Sequence, residues 1–389
     1  MAKESAFEDL FNKMQKIELE ENGIECEENM DESLEEETEA YKEDYIENIR
    51  IDQKILSLFQ VCRWIQNKEL ELRPDFQRNI VWTLEKRSLL IESLMLKIPI
   101  PSFYFDQDKD EKKTVIDGLQ RLSAIYDFIN DEFSLKGISY LKDCEGKVFS
   151  QLERKYRRRI EDTQFTIYIL DQQCPDMVKF DVFRRVNTGG MQLNDQEIRN
   201  VLATKETRDL LKAMAQSEEF LLATHGKISP IRMLDQELCL RFLAFAFRYD
   251  RKVGYTKKNG TLTKMLDSTI LQLNDSSETI RKEWLDAFKT SMRKCYALFG
   301  EDAFIKVKER RVVNRALFIA FSLKITERNF KKNLKDERLQ EKSEKAKRVL
   351  EHLLEEERYY NAFTSSTSSQ ENIKRQFELA QKVLEAIDD

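Results

Sequence analysis

The chain has few of the residues that turn or break a backbone. With 10 Gly and 5 Pro in 389 residues, and 35% charged side chains, it lacks the material for the frequent tight turns of an all-β protein and points instead to long solvated helices. Histidine is scarcer still: His225 and His352 stand far apart and cannot assemble a His-Asn-His constellation. The six cysteines include no C-x-x-C pair, which excludes the usual zinc spacings and predicts reduced, mostly buried thiols. Long apolar runs are absent too. The stretch 238–247 reaches ten residues and is interrupted by Arg241, too short and too polar to span a bilayer. No apolar segment follows the charged start MAKESAFEDLFNK, so neither a membrane anchor nor a secretory signal is expected, and a cytoplasmic chain is. Ser-His-Asp, Cys-His, Walker A and dinucleotide fingerprints are all missing.

What is present is charge, unevenly placed. Residues 1–46 hold 17 Asp and Glu against 4 Lys and Arg, a net −13, which leaves 54 against 61, a net +7, for the rest. Too few large apolar side chains occur between Glu18 and Glu39 to offset the entropy of ordering them, so residues 1–46 read as a flexible acidic arm. Such an arm could cover a basic nucleic-acid surface; Phe7, Leu10, Phe11 and Met14 could alternatively form a short docking helix.

Beyond the arm, Ile55, Leu58, Phe59, Cys62 and Ile65 repeat at helical spacing and predict a helix over 54–67. Leu70–Leu72, Ser102–Phe105, Lys113–Ile116 and Thr166–Leu170 read as short strands, the middle two joined by the charged turn DQDKDEK. Helices are expected over 85–97, from 119 with Leu122, Ile125, Tyr126 and Ile129 on one face, and over 177–186. An N-x-x-E cap at Asn194 and Glu197 opens another. From about Ser217 no period-two pattern remains. Helical runs over 235–249, 279–299, 312–325, 336–357 and 370–387, the last capped by Ser368 with Glu371, predict an all-helical second domain. The expected layout is therefore α+β: an arm at 1–46, a sheet domain at 47–215 and a helical domain at 216–389.

The segment TVIDGLQRLSAIYDF is the most informative. A strand ends, Asp117 and Gly118 turn the chain, and Gln120 and Arg121 fall in the first helical turn. Open backbone N–H groups, a positive helix end and a guanidinium thus meet where an anionic phosphate would fit. Asp117 with Gln120 is also the spacing of a capping box, which needs no ligand at all. Gln77, Arg78 and Trp82 lie ahead of the neighbouring helix, which Lys86 and Arg87 open, and Gly189 and Gly190 supply a turn that permits close backbone approach.

These three segments, Phe76-Gln77-Arg78 with Trp82, Asp117-Gly118-Leu119-Gln120-Arg121 with Leu122, and Asn187-Thr188-Gly189-Gly190-Met191-Gln192-Leu193 with Glu197, resemble in this order the N-terminal domain of GmrSD-type restriction enzymes. The resemblance covers about residues 51–205 and implies a ParB/sulfiredoxin-like fold for the sheet domain. It also implies a nucleoside triphosphate, with Mg²⁺ as a companion ion, acted on by Asp117, Gln120 and Arg121 and held by Gln77, Arg78, Gly118, Asn187, Thr188, Gly189 and Gly190. Coupling to DNA in anti-phage restriction, together with a partner effector protein, follows from the same resemblance. Leu119 stands where the family motif has its first glutamine. Many relatives append an HNH-type nuclease; with two isolated histidines this chain lacks one. Two basic clusters complete the inventory: Arg154, Lys155, Arg157, Arg158 and Arg159 around Tyr156, expected to contact DNA, and Lys306, Lys308, Arg310, Arg311 and Arg315. The alternative is a non-enzymatic module that keeps the fold for DNA reading or protein docking.

Overall fold

A computed structural model describes residues 23–25, 50–72, 82–108, 110–171, 173–186, 194–250, 261–306, 311–332 and 336–387. The chain divides into two units, Tyr41–Leu193 and Met1–Ala40 with Asn194–Asp389.

The first unit runs β1 (Ile51–Ser57), α1 (Leu58–Gln66), β2 (Leu70–Glu71), α2 (Leu84–Met95), β3 (Phe103–Gln107), β4 (Lys113–Asp117), α3 (Leu119–Ile129), α4 (Arg154–Glu161), β5 (Gln164–Leu170) and α5 (Asp176–Val186). Its sheet has the order β1-β5-β3-β4-β2. β1 with β5 and β3 with β4 are antiparallel, whereas β3 with β5 and β2 with β4 are parallel. Side chains alternate across a strand, so Phe103, Phe105, Val115, Phe165, Ile167 and Ile169 fall on one face. There they form a core with Ile91 and Leu94 of α2 and Leu122, Ile125 and Phe128 of α3. The opposite face carries Tyr104, Asp106 and Tyr168, all part-buried. Buried Glu92 ties the 139–141 segment to α2, its carboxylate accepting the backbone N–H groups of Ser139, Tyr140 and Leu141 at 2.9, 2.6 and 2.8 Å.

The first four residues of the helix expected over 54–67 are strand, the end of β1. Ser57 ends β1 and caps α1, its hydroxyl accepting from the Gln60 backbone while the Gln60 side chain accepts from the Ser57 N–H, and all seven residues of β1 pair with β5. Ile55 and Phe59, which completed the helical spacing, are 64% and 72% exposed and belong to no buried face.

The second unit contains α6 (Asp195–Leu202), α7 (Lys205–Ala215), α8 (Glu218–Ala223), α9 (Leu234–Asp250), α10 (Leu262–Asn274), α11 (Glu278–Phe299), α12 (Arg315–Lys332), α13 (Asp336–Glu341), α14 (Ser343–Glu355), α15 (Glu357–Ala362) and α16 (Gln370–Ala386). The molecule is thus α+β with an all-helical second unit. Phe220, Phe242, Phe288 and Phe318 interlock in its core with centroids 5.1–6.1 Å apart. The Asn194/Glu197 capping box forms as expected, with bonds of 2.7 and 2.8 Å. α6 and α7 group with the helices, on the far side of a division at 193/194 where the sequence suggested 215. The reason is visible in α6, whose buried Arg199 donates to Asp267 of α10 at 2.8 Å. The expected long helix over 336–357 is interrupted at Lys342, and α16 is capped by Ser369 rather than Ser368.

The acidic arm also differs from expectation at three residues. Gly23, Ile24 and Glu25 are docked on the helical unit, with Ile24 fully buried and bridged to Val313. The Phe7–Met14 pattern lies outside the described residues. The five described cysteines are free thiols, four of them buried, and no described helix is long and apolar enough to cross a membrane.

Candidate functional site

The site is built where β4 gives way to α3. Asp117 is the last residue of β4 and pairs with Tyr104, beside a register irregularity between Tyr104 and Phe105. Gly118 follows at φ 98° and ψ 8° and is the N-cap of α3. Glycine is required there twice over: L-residues rarely adopt that φ, and a Cβ would come within 2.3 Å of the Phe103 ring.

The capping-box alternative is not what forms. α3 carries no side-chain cap. Asp117 instead accepts from the Gly118 N–H and from Arg121 at 2.9 Å, while the Gln120 side-chain oxygen accepts the Trp82 backbone N–H at 3.4 Å. An uncapped α-helix start leaves first-turn N–H groups without intrahelical acceptors and at the positive end of the dipole.

Arg121 is held by groups of the protein itself. Expected at the phosphate, its guanidinium is turned into the protein, with 11% of the side chain exposed. It donates to the carbonyls of Pro101 and Ser102 and to Asp117, and lies 4.8 Å over the Phe103 ring. Arg121 therefore fixes both the Asp117 carboxylate and the start of β3. Burial pushes the Asp117 carboxyl above its ordinary range; Arg121 and the Gly118 N–H oppose that rise without cancelling it. Burial likewise lowers the affinity of Arg121 for its proton, which Asp117 partly restores.

Beside this turn the outer sheet face presents groups that the motif reading missed. Tyr104 and Tyr168 stack at 5.0 Å, and burial, then Tyr168 and Asp117, raise the Tyr104 phenol. Lys179 of α5 meets Asp106 at 2.7 Å, and burial holds the Asp106 carboxyl high despite that ammonium. Polar residues at alternate positions of β3, with Tyr168 in register on β5, were the available signal. Trp82 lies under the Lys86 ammonium at 4.7 Å, whereas Arg87 is engaged by Asp127 at 2.6 Å. Gln77, Arg78, Asn187, Thr188, Gly189 and Gly190 lie outside the described residues.

The first basic cluster forms α4, anchored by fully buried Ile160. Arg159 donates to the Met95 carbonyl at 2.9 Å, Lys155 pairs with Glu153 at 2.9 Å, and Arg157 is half-buried, so Arg154 and Arg158 are the exposed cations least occupied by the protein. Among the described residues neither histidine joins a cluster of metal-ligating side chains. His352 is exposed beside Glu355 at 3.4 Å, and burial, then Lys227, lowers the His225 pKa. Among the described residues no three His, Cys, Asp or Glu side chains come together as a metal site.

No curated protein and no solved structure matches the chain. Residues 61–203 match the family model described as GmrSD restriction endonuclease, N-terminal domain, and this part of the chain is similar to that domain.

Proposed function

We propose that the sheet unit binds a nucleoside triphosphate at the β4–α3 turn and couples that binding to action on DNA in a restriction-type anti-phage system, with strand cutting supplied by a partner effector protein. The observation that carries this reading is a glycine-initiated, uncapped helix start placed directly beside a carboxylate that Arg121 holds in one orientation.

Backbone N–H groups at the start of α3 would receive a phosphate oxygen, and Asp117 would orient or deprotonate a water next to it. Arg121 acts here as a positioning residue. Energetics requires more than this turn. Micromolar affinity needs about 8 kcal/mol, whereas a helix terminus supplies at most about 2 kcal/mol and a charged hydrogen bond about 1.5–3 kcal/mol. Gln77, Arg78, Asn187, Thr188, Gly189 and Gly190 are the residues proposed to supply the remainder. Bound Mg²⁺ would neutralise phosphate charge. Arg154 and Arg158 of α4 are the proposed DNA contacts, since both are exposed and neither is spent in an ion pair among the described residues.

The test is nucleotide binding by calorimetry, with hydrolysis measured in the presence and absence of DNA. Arg78→Ala is expected to weaken binding, and Asp117→Asn to abolish hydrolysis with binding retained. Equal binding and turnover in the wild type and both variants would overturn the proposal. A second reading, a non-hydrolysing module for DNA reading or docking, is favoured by Leu119 in the motif and by the inward-turned Arg121. It predicts nucleotide binding without DNA-stimulated turnover.

A further inference from the structure

Gly23, Ile24 and Glu25 form a short docked segment inside a highly acidic stretch. The Glu25 N–H donates to the Val313 carbonyl and the Val313 N–H to the Gly23 carbonyl, both at 2.9 Å, and Val313 also bridges Ile305. Gly23 sits at φ 82°, and a Cβ there would come within 2.3 Å of the Lys227 carbonyl oxygen, so the segment approaches closer than any other residue type would allow.

The Glu25 carboxylate is received by a built site. Lys306 Nζ reaches one oxygen at 2.7 Å and Asn314 Nδ2 the other at 2.8 Å. Both partners are themselves oriented: Asn314 Nδ2 also donates to the Phe363 carbonyl at 2.8 Å, and Lys306 to Thr364 Oγ1 at 2.9 Å, with its ammonium 4.9 Å over the Tyr360 ring. The Lys306 side chain is only 3% exposed. An ammonium and an amide N–H recognise a phosphate oxygen by the same chemistry as a carboxylate oxygen.

Two further facts give this socket a consequence. Lys306 opens a basic stretch of the sequence that continues with Lys308, Arg310, Arg311 and Arg315, of which Arg311 is exposed and Arg315 buried. The docked residues lie within 18–39, a run with 12 Asp and Glu and neither Lys nor Arg. Because both runs belong to one chain, those carboxylates compete for the basic stretch at a high effective concentration.

We propose that Gly23-Ile24-Glu25 is a releasable cis anchor, and that the phosphate backbone of a nucleic acid displaces it by taking over Lys306 and exposed Arg311. The inference rests on the DNA-directed reading above. It is tested in the full chain, using a fluorescent duplex oligonucleotide, with hydrogen exchange at the Glu25 and Val313 amides as a second readout. DNA should speed exchange at both amides in the wild type. Ile24→Asp should exchange fast without DNA and bind the duplex about tenfold more tightly at about 0.01 M salt, the advantage shrinking as the Debye length falls from about 30 to about 8 Å near 0.15 M. Glu25→Gln, which keeps the shape of the segment, should move both readouts in the same direction. If every chain binds DNA equally while the two amides stay protected, the anchor is not a gate and the DNA-directed reading survives. If no chain binds DNA at any salt, both fall.

Discussion

Arg121→Ala separates a structural arginine from a ligand-binding one. The wild-type guanidinium satisfies two carbonyls and neutralises Asp117, whose side chain is 28% exposed. Removing one partner of a buried pair leaves an uncompensated charge and costs about 3–5 kcal/mol. Asp117→Ala should cost less, about 1.5–3 kcal/mol, because Arg121 keeps its bonds to Pro101 and Ser102. In the double variant no orphaned carboxylate remains, so its loss should fall short of the sum by about 1–3 kcal/mol. The pH dependence has a definite sign. Without Arg121 the already raised Asp117 pKa rises further; a group whose folded pKa exceeds its unfolded value contributes stability at low pH that is lost as pH climbs through the folded pKa. The Arg121→Ala penalty should therefore shrink on acidification. Urea denaturation of the four chains at two pH values measures all of this. A penalty for Arg121→Ala below about 0.5 kcal/mol, the level of an ordinary surface change, or strict additivity in the cycle, would refute the structural role and return Arg121 to the ligand.

Three other outcomes are expected. Gly118→Ala should destabilise the chain by about 2–5 kcal/mol in urea, combining about 1–2 kcal/mol of left-handed strain with about 1–3 kcal/mol of overpacking against Phe103; a near-neutral variant contradicts the close approach. Burial alone would raise the Glu237 pKa, but Arg241, Arg315 and Arg199 overturn that and bring it down from 4.5 to about 2. At 1.36 kcal/mol per pH unit this contributes about 3 kcal/mol above pH 4.5, lost as pH falls toward 2. Glu237→Gln should flatten the acid limb of the stability profile, and an unchanged limb speaks against it. Finally, Arg154→Ala with Arg158→Ala should reduce the salt slope of DNA binding by about 2, one for each lost phosphate contact, and an unaltered slope moves the DNA surface elsewhere.

Local pattern made much of the fold legible. The hairpin of β3 and β4 follows from two apolar runs around a charged turn, where Asp108 Oδ1 accepts the backbone N–H groups of Asp110 and Lys112. α2, α3, α5 and the capped start of α6 stand where periodicity and caps put them. β1 was misread because exposed Ile55 and Phe59 imitate a helical face, although the S-x-x-Q capping box at Ser57 marked the true helix start. In the candidate site, the turn at Asp117 and Gly118 was legible because its geometry is local. The direction of Arg121 was not, since it depends on carbonyls some twenty positions earlier. The docking of Ile24 was equally hidden: one isoleucine between carboxylates gives no periodicity, and its partner Val313 lies in the other half of the chain.

The order of the sheet leaves two unlike borders. At one, β2 is two residues long and offers hardly any template to a foreign strand. At the other, β1 pairs along seven residues with β5 and, among the described residues, with no strand on its outer side. Ile51 and Ile55 are exposed along it, which is the profile of a strand that recruits its like. Asp52 and Lys54 stand on the opposite face of the strand, and a second copy adding itself parallel and in register would set Asp52 against Asp52 and Lys54 against Lys54, like charges that destabilise the pairing. The border of the sheet thus disfavours parallel self-association through two charged residues, Asp52 and Lys54.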